Sequence, residues 1–129
     1  MEREILFRGK DKATNQWVYG DYTHNEGLNT HYISRNVNNT SRKAWEVDPD
    51  TIGQYTGLTD KEGNKIFEGD ILSGQNCRFV VKYDERQAEF VAVNSTLPKG
   101  FGLPMSQTWI DETNKTICGN VHDNPELIK

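Results

Sequence analysis

Apolar residues in this chain recur at every second position over short stretches, and each stretch ends in a cluster of Gly, Asn, Asp or Pro. No segment carries a sustained apolar recurrence at helical spacing. The chain is therefore read as mainly β, built from short strands and polar turns. Ile5 and Phe7 alternate with Glu4 and Arg8 in a first strand. Gly9–Gln16 is a polar turn, and Trp17–Tyr22 is the returning strand. Residues 23–31 read as loop, His31–Val37 and Lys43–Val47 as strands, and Asn36–Ser41 as an Asn-rich turn. Asp48-Pro49-Asp50 reads as a break, because proline donates no ladder hydrogen bond and biases its predecessor to extended backbone. It divides an N-terminal β lobe, residues 1–50, from a C-terminal lobe, residues 51–129, the two packed as one unit.

The second lobe is the more regular. Thr51–Thr56 reads as a strand and Thr59–Asn64 as a type I turn with Gly63 left-handed. Lys65–Leu72 reads as one strand with Gly69-Asp70 inside it, glycine there marking a bulge or a close backbone approach. Arg78–Tyr83 and Ala88–Asn94 are strands around the turn Asp84–Gln87, and Asn94–Pro104 is an irregular loop. Gln107–Asp111 and Thr116–His122 complete the strands. The tail from Asp123 carries a helix-start pattern, with Pro125 at an early position and Glu126 in the first turn. Five short strands from about Ile66 to His122, ending in one helical turn, fit a small SH3-like barrel, whose sharply bent strands suit internal Gly-Asp pairs.

One stretch is echoed. Asp11–Tyr22 aligns without gaps on Asp60–Ile71, 49 positions later, with five of twelve residues identical: Asp, Lys, Asn, Gly and Asp. Two accounts stand: similar turn chemistry used twice, or a true repeat in which Gly20-Asp21 and Gly69-Asp70 occupy equivalent strand positions.

Composition narrows the function classes. The chain has 129 residues, 34% hydrophobic and 10% aromatic, which suits a folded domain with a modest core. A modest core is often supplemented by oligomerisation. The net charge is -4, and neither half is basic: residues 1–50 carry 7 Lys/Arg against 8 Asp/Glu, and residues 51–129 carry 8 against 11. Phosphate-tracking proteins usually show a basic face, so nucleic acid is disfavoured as a partner. The opening Met1-Glu2-Arg3-Glu4 is charged, no signal peptide follows, and no apolar run approaches a membrane span. A cytoplasmic protein with Cys77 and Cys118 as free, buried thiols is expected.

Candidate chemistry is sparse. Asp60, Glu62, Glu68 and Asp70 form an acidic cluster without the oxygen ladder of a calcium loop. They read as turn-capping or solvated, with Asp70 bonded to local backbone amides. His24, His31, His122, Cys77 and Cys118 lack the tight pairs of a structural zinc site. Ser34, Ser41 and Ser73 sit outside any G-x-S-x-G elbow, and Gly100-Phe101-Gly102 is an incomplete phosphate loop preceding no predicted helix. No catalytic, cofactor or metal residues are assigned, and the chain is expected not to be an enzyme. Phe101 and Trp109, bordering the irregular loop, are the aromatic pair best placed for exposure.

Three segments taken in series resemble a known family. REILFRGKDK (3–12), IGQYTGLTDKEGNKIFEGDIL (52–72) and ICGNVHDNPELI (117–128) are similar to the YopX family of phage and prophage proteins, in the family's order and spacing. The resemblance spans essentially the whole chain. It implies a small mainly β protein with an SH3-like barrel in its C-terminal part, self-association, and a mobile-element origin in a bacterial host. It implies no established activity and no catalytic residues. The expected function is a non-enzymatic accessory protein that binds its own copies or a host or phage protein, with a nucleic-acid-associated module as the alternative.

Overall fold

Alternation of side chains across extended backbone, interrupted by turns that only polar residues and glycine form readily, generates ten strands, one short helix and a terminal 3-10 turn among the described residues. The computed structural model describes residues 3–128. The chain divides into two compact units, Met1–Tyr55 and Thr56–Lys129. The fold is mainly β, and its strands pair antiparallel in both units.

In the first unit, β1 (Phe7–Asp11), β2 (Trp17–Asn25), β3 (Thr30–Asn36) and the start of β4 (Arg42–Thr59) form a hydrogen-bonded circuit. The first half of β2 pairs with β1 and its second half with β3. β3 pairs with β4, and β4 returns to β1. Ile33 and Val47 are fully buried in this unit. The loop expected over residues 23–31 is mostly strand, because His24 and Asn25 pair with His31 and Thr30 and confine the turn to four residues.

Pro49 does not end a strand. β4 continues through it, and the disruption appears as a bulge: Lys10 faces Asp48 while Arg8 faces Gly53, so the intervening β4 residues are unpaired with β1. Thr51 fills the gap, its hydroxyl accepting from the Lys10 amide at 2.8 Å and donating to the Asp48 carbonyl at 2.6 Å. The missing proline N–H therefore costs no ladder bond.

In the second unit, β5 (Lys65–Phe67) precedes a sheet in the order β10-β6-β7-β8-β9. These strands are β6 (Asp70–Gly74), β7 (Cys77–Asp84), β8 (Glu89–Val93), β9 (Leu103–Pro104) and β10 (Thr116–Asn120). Ile66, Leu72, Val81 and Ile110 form its core, with Leu58, Met105, Trp109 and Ile117 packed around them.

Two expectations are corrected here. Lys65–Leu72 is two strands, because Gly69 adopts φ +94° and turns the chain between them. Gln107–Asp111 is helical: α1 spans Gln107–Glu112. The Ser106 hydroxyl caps it by accepting from the Trp109 amide at 3.1 Å, and the Thr113 hydroxyl closes it by donating to the Trp109 carbonyl at 2.6 Å. Six residues with one buried side chain, Ile110, are too few to display a helical period. The tail forms the expected single turn, 3-10 in type, over Pro125–Ile128.

The echo is shared turn chemistry. Asp11 and Asp60 each accept from the amide two residues on, Ala13 at 3.0 Å and Glu62 at 2.9 Å. Beyond that the segments diverge. The first turn closes from the Asp11 amide to the Gln16 carbonyl and the second, one residue shorter, from Asp60 to Asn64. Asn15 is left-handed in the first, Gly63 in the second. Gly20 lies within β2, while Gly69 makes a corner.

Gly20 is required for space. A Cβ there would lie 2.1 Å from the Ser34 carbonyl oxygen, inside the β2–β3 ladder. Gly20→Ala is expected to force these strands apart and to cost about 3 kcal/mol of stability in urea unfolding. A cost under about 0.5 kcal/mol would show that the contact relaxes freely.

Candidate functional site

The acidic residues singled out in the sequence are largely spent on the fold. Asp60 is 3% exposed and Asp70 2% exposed. One Asp60 oxygen accepts from the amides of Glu62 at 2.9 Å and Asn64 at 2.8 Å. The other accepts from the Ile117 amide at 3.0 Å and the Asn64 side chain at 3.3 Å. Asp70 accepts from the Phe67 amide at 2.7 Å across the Gly69 corner, as expected. Glu62 is exposed. Burial pushes the Asp60 carboxyl up, but the amides of Ile117, Asn64 and Glu62 together with the Asn64 side chain outweigh it and hold the pKa below an ordinary 3.8.

The other candidates are scattered. His24 and His31 face each other across β2 and β3, rings stacked at 4.2 Å, with His31 Nδ1 2.7 Å from the Tyr22 hydroxyl. His122 lies in the other unit, in the turn after β10. Among the described residues no group of three or more His, Cys, Asp or Glu is placed to hold a metal ion. Cys77 and Cys118 are free thiols, but both are exposed. They occupy β7 and β10 at outward positions, a placement that their apolar character did not suggest. Phe101 is 66% exposed, whereas Trp109 packs edge-on against Phe79 at 5.5 Å and does not join it on the surface.

A surface site that sequence reasoning missed lies on the outer face of β7. Alternation turns Phe79 and Val81 into the core and leaves Arg78, Val80 and Lys82 outward. Val80 pairs with Val93 on β8. These residues floor an open trough of about 590 Å³. One wall is the segment after β8, where Asn94 Oδ1 accepts from the Thr96 amide at 3.1 Å and its hydroxyl at 2.6 Å. The other is the C-terminal turn, where Leu127 and Ile128 join Val121. Arg78 Nη1 fixes that wall by donating to the Leu127 carbonyl at 3.3 Å. Among the described residues the lining contains Arg78 and Lys82 and no carboxylate, in a chain of net charge -4. Lys82 and Val93 also border a second depression of about 410 Å³, flanked by Tyr83, Asp84, Glu85, Arg86 and Phe101. The sequence signal for this face is the alternation of Arg78, Val80 and Lys82 with Phe79 and Val81 along one strand.

Fold and site together define a small, mainly β protein of antiparallel sheets, carrying an open trough with an apolar floor and two cations. The chain belongs to the YopX family, described as YopX protein, whose model it matches over residues 6–129. It is also similar in structure to a solved protein, the crystal structure of protein EF1440 from Enterococcus faecalis. That likeness has a TM-score of 0.59 at 23% identity and covers 98% of this chain and 99% of that one. At that identity the likeness concerns the fold. No curated protein matches the chain. No helix among the described residues is long and apolar enough to cross a membrane.

Asp60 offers a direct test of what holds the trough's unit together. Its depressed pKa means that it stabilises the fold fully above the unfolded carboxyl's pKa and loses this contribution as pH falls through the folded value. Asp60→Asn is expected to cost about 2 kcal/mol at neutral pH in urea unfolding. The gap from the native chain should shrink as pH drops below 3.8. A gap independent of pH would assign the loss to shape and not to the charged hydrogen bonds.

Proposed function

We propose that this protein is a non-enzymatic binding module whose trough takes an anionic, partly apolar segment of another protein chain. The observation that carries this reading is the lining itself: Val80, Val93, Val121 and Leu127 beside Arg78 and Lys82, with no acid among them. An acidic protein that gathers two cations and no carboxylate around an apolar floor is complementary to carboxylate-bearing chain. Among the described residues the trough brings together no histidine or carboxylate that could move a proton, which supports a binding role over a catalytic one.

Further support comes from the strand order. A three-strand meander flanked by the last strand, with a short helix before that strand, suits a small SH3-like barrel. Such barrels grip partners on surfaces beside their loops. With family membership, this favours an accessory protein of phage or prophage origin acting in the bacterial cytoplasm.

The test is capture from a lysate of a bacterial host carrying the prophage, with and without nuclease, using the native chain and Lys82→Glu. Lys82 is exposed, so the substitution leaves the core intact. The expected result is a stoichiometric protein retained after nuclease and lost, by at least about tenfold, with Lys82→Glu. Capture unchanged by Lys82→Glu, or enrichment of nucleic acid that nuclease removes, would overturn the reading.

A further inference from the structure

The tip of the β2–β3 hairpin presents an apolar knob for which the fold has no use. Leu28 is 71% exposed, the highest exposure given for any large apolar side chain among the described residues. It sits in the turn Glu26-Gly27-Leu28-Asn29, where polar residues are the norm. The turn is hydrogen-bonded. The Leu28 amide donates to Asn25 Oδ1 at 3.3 Å and the Asn29 amide to the Glu26 carbonyl at 3.3 Å. His24 Nε2 lies 3.1 Å from Asn29 Oδ1, and the stacked His24 and His31 rings buttress the strands just behind. Leu28 thus projects from a hydrogen-bonded turn, two residues from the exposed Glu26. Single exposed leucines are ordinary on protein surfaces, but a leucine at a hydrogen-bonded tip beside a carboxylate is the shape and charge that the trough requires.

We infer that the occupant of the trough is the hairpin tip of a second copy of this chain, with Leu28 on the Val80–Val93–Val121 floor and the Glu26 carboxylate between Arg78 and Lys82. The inference rests on the proposed role of the trough and names its partner. Arg78 spends one nitrogen on the Leu127 carbonyl and retains further donors. The Lys82 ammonium makes no ion pair among the described residues, and neither does the Glu26 carboxylate. Knob and trough are different surfaces, so the contact is heterologous within each pairing. The ion pairs lie at the rim, so association should weaken as salt rises.

Sedimentation velocity of the full chain over two decades of concentration tests this. The native chain is expected to self-associate. Leu28→Asp and Lys82→Glu should each weaken association at least about tenfold. Glu26→Lys combined with Lys82→Glu should associate better than Glu26→Lys alone and about as well as Lys82→Glu alone, because Arg78 still faces the new lysine; the two losses should not add, as general destabilisation would make them do. Leu28, Glu26 and Lys82 are all solvent-facing, and circular dichroism checks that each variant stays folded. A native chain that remains monomeric throughout overturns the inference, as does association indifferent to Leu28→Asp or charge reversals whose losses simply add. If the native chain is monomeric while Lys82→Glu still abolishes capture of a different protein, the trough keeps its binding role and only the second-copy assignment falls. If capture is also indifferent to Lys82→Glu, both fall.

Discussion

The Asp60 carboxylate is the tie on which the second unit depends. It joins residues adjacent in sequence, Glu62 and Asn64, to Ile117, which is 57 positions away. A buried carboxylate accepting several backbone amides is stable only when every donor is in place, so the turn and the start of β10 are fixed together. Neighbouring bonds extend the tie. The Lys61 amide donates to the Lys115 carbonyl, and the buried Lys115 ammonium donates to the Gly74 carbonyl at 3.0 Å. The Gln107 side chain pairs with both backbone groups of Thr59, which anchors the helix to the same turn. Asp70 repeats the device at smaller scale, closing the Gly69 corner from which the Val121 amide is held.

The trough follows from these ties. β10 lies beside β6, and the Gly69 corner bonds to both Val81 on β7 and Val121 just past β10. That places Val121 and the C-terminal turn along the outer face of β7. With the inner face committed to Phe79 and Val81, the outer residues Arg78, Val80 and Lys82 are free of structural duty apart from the single Arg78 bond to Leu127. A surface positioned by buried hydrogen bonds but not consumed by them is rigid without being spent, which is what recognition needs.

Much of the fold was legible because turns announce themselves. The polar clusters at Thr59–Asn64, Asp84–Gln87 and Asn36–Ser41 lie where turns occur, and Pro125 opens the terminal turn. What was hidden has physical causes. α1 is shorter than two helical periods and is specified by the Ser106 cap. Pro49 sits in a bulge, where the residue that breaks a ladder is tolerated. Gly69 reads alike as bulge or corner until its φ is known. The exposure of Cys77 and Cys118 reflects strand register, which a one-residue shift inverts. The trough was invisible because its residues come from β7, β8 and the tail, and only pairing brings them together.

Amide hydrogen exchange by mass spectrometry, on the purified chain alone at low and high concentration and again with any captured partner, tests the central claim most directly. The account predicts that binding slows exchange along residues 76–82, 93–96 and 121–128, with the Asp60 turn already protected in the free chain. Protection that appears only elsewhere, with the trough exchanging as fast as before, would contradict it.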